Sequence, residues 1–288
     1  MTRMALAGRR TCTRWLGPPI RATRPPGTTT SGALPALIIQ AEAASRKVGL
    51  DNPQMCTLRA LVYDTAAALL NRVGEPALAW AAADRALGAA EQSGRPSLAA
   101  ASAWRMSYVI GSRNHQAEAL ELAMTAAAAL ERTMRTADAD ALSVYGALHL
   151  AAATAAAAIY DRAMTASLLA KARETAEATG ESNRMGTAFG RVNVSIHAIS
   201  AALQLGDAKT AIETGEALDL AALDLARAYA IRRQDAAAVN LLLAAERLSP
   251  QLVRYDGRTR NLLTTLLHRE HQPSTPELRP MARRAGVI

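Results

Sequence analysis

Phe189, Asn193 and His197 follow one another at intervals of four, which puts all three on one stripe of a helix. An amide and an imidazole so placed could hydrogen-bond a peptide backbone or a carboxylate, with the phenyl ring packed against its apolar part. The plainer reading has Asn193 capping or buttressing a neighbouring helix and His197 as a satisfied, half-buried histidine. Ser200 and Gln204 extend the polar run along the same segment. Trp104 and Tyr108 repeat the four-residue spacing elsewhere and could cage a ligand, although such aromatic pairs more often pack between helices. Asp64 and Arg72 add one group of each charge. Together these residues form the expected ligand-binding set.

Catalytic chemistry finds no footing. The chain has no glycine-rich phosphate loop, no G-x-S-x-G and no zinc-type cysteine spacing. "HREH" at 268–271 sets two histidines three apart, but it is not H-E-x-x-H and no third ligand is nearby, so it reads as a solvated helix end. Glu118 with Glu121, and Glu174 with Glu177, read as solvated helix faces. No enzyme activity, cofactor or metal is therefore expected.

The positioning elements must be helices. The chain has 288 residues, half of them apolar, 67 alanines and only 3% aromatics. Alanine is the best helix former, while sheets are built from β-branched and aromatic residues, so an all-α protein is predicted. Net charge is +8, yet six arginines precede the first acidic residue, Glu42, and from residue 33 onward the excess is two. A basic surface for nucleic acid is thus missing from the folded part. The two cysteines, Cys12 and Cys56, suit a reducing cytoplasm better than a disulfide. Arg9 and Arg10 are followed by no apolar run of the kind an export signal carries. The most apolar window, 146–160, is shorter than the ~20 residues a span requires, so a cytoplasmic protein without a membrane partner is expected.

Residues 1–33, with four prolines and "GTTTSG", read as a disordered basic arm. Helical spacing then holds from 34 to about 270, followed by a tail at 271–288 with a short terminal helix. Turns are expected at Gly74–Pro76, Gly94–Pro96, 111–115, 136–140, 179–184 and Gly206–Asp207. Residues 222–250 carry the fullest internal pattern: Ala222, Leu225, Ala226 and Tyr229, then Ala238, Leu242, Ala245 and Pro250. Those are the small and large positions of a two-helix tetratricopeptide unit. Weaker copies begin at Ala79, Ala119, Thr165 and Ala211, so the steps are 40, 46, 46 and 27 residues where a strict array takes about 34. The short step marks lost residues or fused helices near 216–224. An α-solenoid of antiparallel tetratricopeptide-like helix pairs over 34–270 is predicted, in preference to an irregular helical bundle. The first helices of such pairs line a concave face, which suits a peptide, protein or small-molecule ligand, and homo-oligomers are open to such a surface.

"VGEPALAWAAADRALGAAEQSGRPSLAAASAWRMSYV", "TAFGRVNVSIHAISAALQLGD" and "LARAYAIRRQDAAAVNLLLAAERLSPQLVRY" together resemble the C-terminal repeat region of actinobacterial XRE-type helix-turn-helix transcriptional regulators. The likeness runs over about 34–288, including "TPELRPMARRAGV". It implies a repeat domain that senses a ligand or partner for a transcriptional regulator. In that family a DNA-binding helix-turn-helix precedes the repeats. The proline-broken first 33 residues cannot supply its two packed helices, which puts sequence-specific DNA binding by this chain in doubt. A stand-alone protein-interaction scaffold, unconnected with transcription, is the alternative.

Overall fold

A computed structural model describes residues 30–134, 138–216, 222–248, 250–270 and 275–288. The expected basic arm, with Cys12, lies outside the described residues except for its end, which already belongs to the first helix. Among the described residues the chain is all helix, with no strand. A leading helix, α1 (Thr30–Val48), packs on the first of five pairs. The pairs are α2 (Pro53–Val73) with α3 (Pro76–Gln92), α4 (Pro96–Ser112) with α5 (Gln116–Thr133), and α6 (Ala139–Ala158) with α7 (Arg162–Thr179). Then come α8 (Arg191–Gln204) with α9 (Ala208–Glu216), and α10 (Ala222–Ile231) with α11 (Asp235–Leu248). Three shorter helices, α12 (Pro250–Tyr255), α13 (Gly257–His268) and α14 (Leu278–Arg284), close the chain.

Every helix packs on the next, and the first helix of each pair also packs on the first helix of the following pair: α2 on α4, α4 on α6, α6 on α8, α8 on α10. A shared stacking axis produces this pattern, and the molecule is an α-helical repeat solenoid. The predicted markers fall in one place throughout. Ala79, Ala119, Thr165, Ala211 and Ala238 each occupy the fourth position of the second helix of a pair, and each is buried. Small side chains there let the two helices of a pair approach closely.

Uneven steps come from unequal helices. α6 has 20 residues whereas α9 and α10 have 9 and 10, and a loop with a 3-10 turn (Arg184–Gly186) precedes α8. The shortened region still stacks, since α10 packs on both α8 and α9, although 217–221 lie outside the described residues.

Proline at the first helical position, where the missing N–H costs nothing, starts α2, α3 and α4. Asn52, Asp138 and Asp161 cap α2, α6 and α7 by accepting from backbone N–H groups of the first turn. One turn lacks the usual breakers: Ile159–Asp161 carries neither glycine nor proline, and Tyr160 takes the left-handed conformation at φ 62°.

α6 is buried along almost its whole length, enclosed by α4, α5, α7 and α8. At 20 residues it is longer than the apolar window suggested, long and apolar enough by composition to cross a membrane. Its most apolar window is nevertheless 83% buried inside the protein, which identifies it as the core helix. Cys56 is a buried free thiol whose Sγ contacts the Leu50 carbonyl at 3.2 Å.

Candidate functional site

The inner faces of α2, α4, α6, α8 and α10 form the wall of a trough, and the first turns of α13 come across to meet it. Two adjoining cavities of about 440 and 490 Å³ lie there. Asn71, Arg72, Tyr108, Arg227, Asp256 and Arg258 line both, so they are two parts of one trough. Each volume is within the range of small-ligand pockets. α13 is set in place by Asp256, whose carboxylate accepts from Thr259 N at 3.1 Å and from Thr259 Oγ1 at 2.9 Å. The helix also packs on α10, and its buried Leu263 and Leu266 join the C-terminal core.

On the α4 wall, Trp104 and Tyr108 stack edge to face, centroids 5.8 Å apart and planes at 88°. The Arg105 guanidinium lies 4.4 Å from the centre of the Trp104 ring. Trp104 is almost wholly buried, yet its Nε1–H makes no hydrogen bond among the described residues. It lies near enough to the Tyr108 hydroxyl to favour the phenolate, without hydrogen-bonding geometry.

Behind it, on α2, Asp64 Oδ2 accepts from Ser102 Oγ at 2.8 Å, while its buried Oδ1 is unpartnered. Burial pushes the Asp64 carboxyl up to about 6, against the pull of Arg105 and the Ser102 hydrogen bond. Burial likewise lowers the Arg105 guanidinium from its ordinary range, with Asp64 opposing.

His197 joins α8 to this wall. Thr154 Oγ1 donates its single proton to the Leu150 carbonyl at 2.9 Å, so it can only accept from His197 Nδ1, 3.2 Å away. That fixes the proton on Nδ1 and leaves Nε2 to accept from the Tyr108 hydroxyl at 3.4 Å. Burial, and next the positive charge of Arg258, hold the imidazole down at about 4, so it is neutral at ordinary pH. Burial raises the Tyr108 phenol to about 12. The chain Tyr108–His197–Thr154–Leu150 is therefore a neutral hydrogen-bond relay that ties α4, α8 and α6 together.

Of the expected set, Arg72, Trp104, Tyr108 and His197 meet in the first cavity, and Gln204 lines the second with its buried Oε1 unpartnered. Asp64 lines neither cavity and is held by Ser102 of the α4 wall. Three others are placed elsewhere. Phe189 precedes α8, so it does not share a helical stripe with Asn193, and it is fully buried against α6. Gly146 makes room for it: a Cβ at that position would collide with the Phe189 ring. Asn193 Nδ2 donates to the Thr187 carbonyl at 3.3 Å and so braces the loop before its own helix, rather than a neighbouring helix. Ser200 is buried and lines neither cavity.

Sequence reasoning missed Thr154, Arg105, Arg227 and Arg258. Arg105 follows a trough tryptophan directly and could have been suspected of stacking on it. Arg258 stands in the first turn of a helix, where a cation opposes the helix dipole, and that misplacement is itself a signal. Among the described residues no three His, Cys, Asp or Glu side chains group closely enough to hold a metal ion. No protein-family model and no curated protein sequence matches the chain.

Proposed function

We propose that the chain is a ligand-binding helical-repeat domain of the tetratricopeptide type, serving in the cytoplasm as the sensory part of a transcriptional regulator. One observation carries the binding role. Trp104, Arg105 and Gln204 line one trough of ligand size and each carries a buried polar atom without a partner (Nε1, Nε and Oε1), while Asp64, hydrogen-bonded to Ser102 of the same α4 wall, adds a fourth in Oδ1. Buried polar groups are normally paired, and an unpaired one costs roughly 1–3 kcal/mol, so a cluster of them marks a place where something else supplies the partners. The regulatory role rests on the resemblance of the repeat motifs.

Native mass spectrometry of the freshly purified protein tests the binding role. A bound mass is expected, with lower occupancy in Trp104→Phe, which keeps the ring but removes the N–H, and in Gln204→Leu. Equal occupancy in all three proteins would move the ligand out of the trough. The exposed Leu78 and Trp80 of α3, with Arg113 5.4 Å from the centre of the Trp80 ring, favour the second reading, a protein-interaction scaffold. Recovery of an intact partner complex that survives loss of the trough side chains would support it.

A further inference from the structure

We propose that the ligand of this trough is a small molecule carrying an oxyanion, a carboxylate or a phosphate, held between Arg72 on α2 and Arg258 on α13. The inference rests on the trough being a binding site and adds the chemical class of what binds. Four arginines line it or stack on its wall: Arg72, Arg105, Arg227 and Arg258. Two are already engaged. Arg227 pairs with Asp224 at 3.1 Å, and Arg105 lies on Trp104 within electrostatic reach of Asp64. The remaining acid, Asp256, spends Oδ2 on capping α13. Arg72 and Arg258 are left with no hydrogen bond or ion pair among the described residues.

Helix stabilisation does not account for Arg258, and it accounts for Arg72 only in part. Arg258 occupies the first turn of α13, the end of the dipole that repels a cation. Arg72, at the close of α2, is favourably placed for the dipole but faces the other guanidinium groups, and its charge already bears on Arg105. A concave wall that gathers unpaired cations is held against their own repulsion, and an anion bound between them relieves it.

Other groups on the wall agree in sign. Trp104 and Arg105 both line the first cavity, and each carries a buried N–H donor, Nε1 and Nε, without a partner among the described residues. Trp104 is fixed by packing, more than nine-tenths buried, so a hydrogen bond to its donor costs no further side-chain freedom. His197, kept neutral by burial and next by Arg258, adds no charge of its own. With the first turns of α13 lying across the trough, each cavity fits a molecule of metabolite size rather than a long extended chain.

Thermal unfolding of the full chain, at matched ionic strength in chloride, decides it. The probes are inorganic phosphate, phenyl phosphate, benzoate, neutral benzamide and cationic benzylamine. One or more of the anions should raise Tm saturably, and Arg258→Gln and Arg72→Gln should each weaken that anion by about tenfold or more, as loss of a charge-assisted hydrogen bond requires. Both arginines are exposed, so the variants keep the fold, and without anion Arg258→Gln should melt no lower than the parent. Arg173→Gln, on an exposed face of α7 away from the trough, should bind as the parent does. Phosphate against benzoate separates the two anion sources.

Stabilisation that is the same in Arg258→Gln and Arg72→Gln would be the general salting effect of excluded anions, and it would overturn the proposal. Stabilisation by benzamide or benzylamine but by no anion would overturn the anion class while leaving the trough as a binding site. Silence from every probe would also overturn it, leaving the binding role to be judged by the co-purified mass.

Discussion

Replacing Asp64 by asparagine should make the protein more stable at neutral pH and leave it little changed in acid. Asp64 is half-buried, its Oδ1 unpartnered, and its carboxyl is pushed up from 3.8 to about 6. A folded-state value above the unfolded one means that the folded chain binds the proton more tightly. Stability tied to this group is therefore full below the unfolded value and lost as pH rises through about 6. A shift of about 2 units at 1.36 kcal/mol each sets a ceiling of about 3 kcal/mol. About 1 kcal/mol of that has already been lost at pH ~4.5, so between there and pH ~8 the parent should lose a further ~2 kcal/mol that the asparagine variant does not. Solvent reaching the trough lowers the figure, and about 1–2 kcal/mol is expected. Asparagine keeps a carbonyl oxygen to accept from Ser102, so the 2.8 Å hydrogen bond survives the change. Urea unfolding of both proteins across this range gives the difference directly, provided the slopes match. Parallel curves, or a variant weaker at every pH, would show that the Asp64–Arg105 attraction outweighs burial and that Asp64 is a structural ion.

His197 titrates in the opposite sense. Its value is depressed from 6.5 to about 4, so the parent loses stability as pH falls through that window, by at most about 3 kcal/mol, and His197→Gln should flatten the acid limb. Gly146→Ala should destabilise by about 1–3 kcal/mol, because the new methyl meets Phe189, and Phe189→Leu should recover part of it; calorimetry of the single and double variants tests the contact. Asn52→Ala should cost about 1 kcal/mol, since Asn52 Oδ1 accepts from both Gln54 N and Met55 N at the start of α2. Asn193→Ala should leave occupancy of the trough unchanged in native mass spectra, because its amide serves the Thr187 carbonyl and not the cavity.

The helix pairs were legible because each is specified locally. Gly74 at φ 83° ends α2, and Pro76 then opens α3; a positive-φ glycine and a proline at the first helical turn are readable one residue at a time. Ala79, Ala83 and Ala86 were legible for the same reason, since close approach of two adjacent helices demands small residues at fixed offsets. Tyr160 shows where this stops. Nothing in its type announces a left-handed turn, and the turn exists because α6 and α7 must pack antiparallel.

The trough was legible only on the walls that the repeat template supplies. Trp104, Tyr108 and His197 were found because a template that orients the first helices also orients their side chains. Phe189 failed because its four-residue spacing from Asn193 holds in sequence alone: α8 begins after Gly190, so the two residues do not share a helix. Arg258 failed for a different reason. It lies beyond the last unit of the pattern, and it shares two cavities with Arg72 only through the stacking of the pairs between them, which no single pair encodes. Local spacing can therefore give the lining of one wall, while the charge that faces it across the gap is a property of the whole stack. A deletion of one helix pair would test this, since it should leave the remaining pairs helical while moving Arg258 out of register with Arg72. Anion-dependent stabilisation should then be lost although circular dichroism per residue is kept.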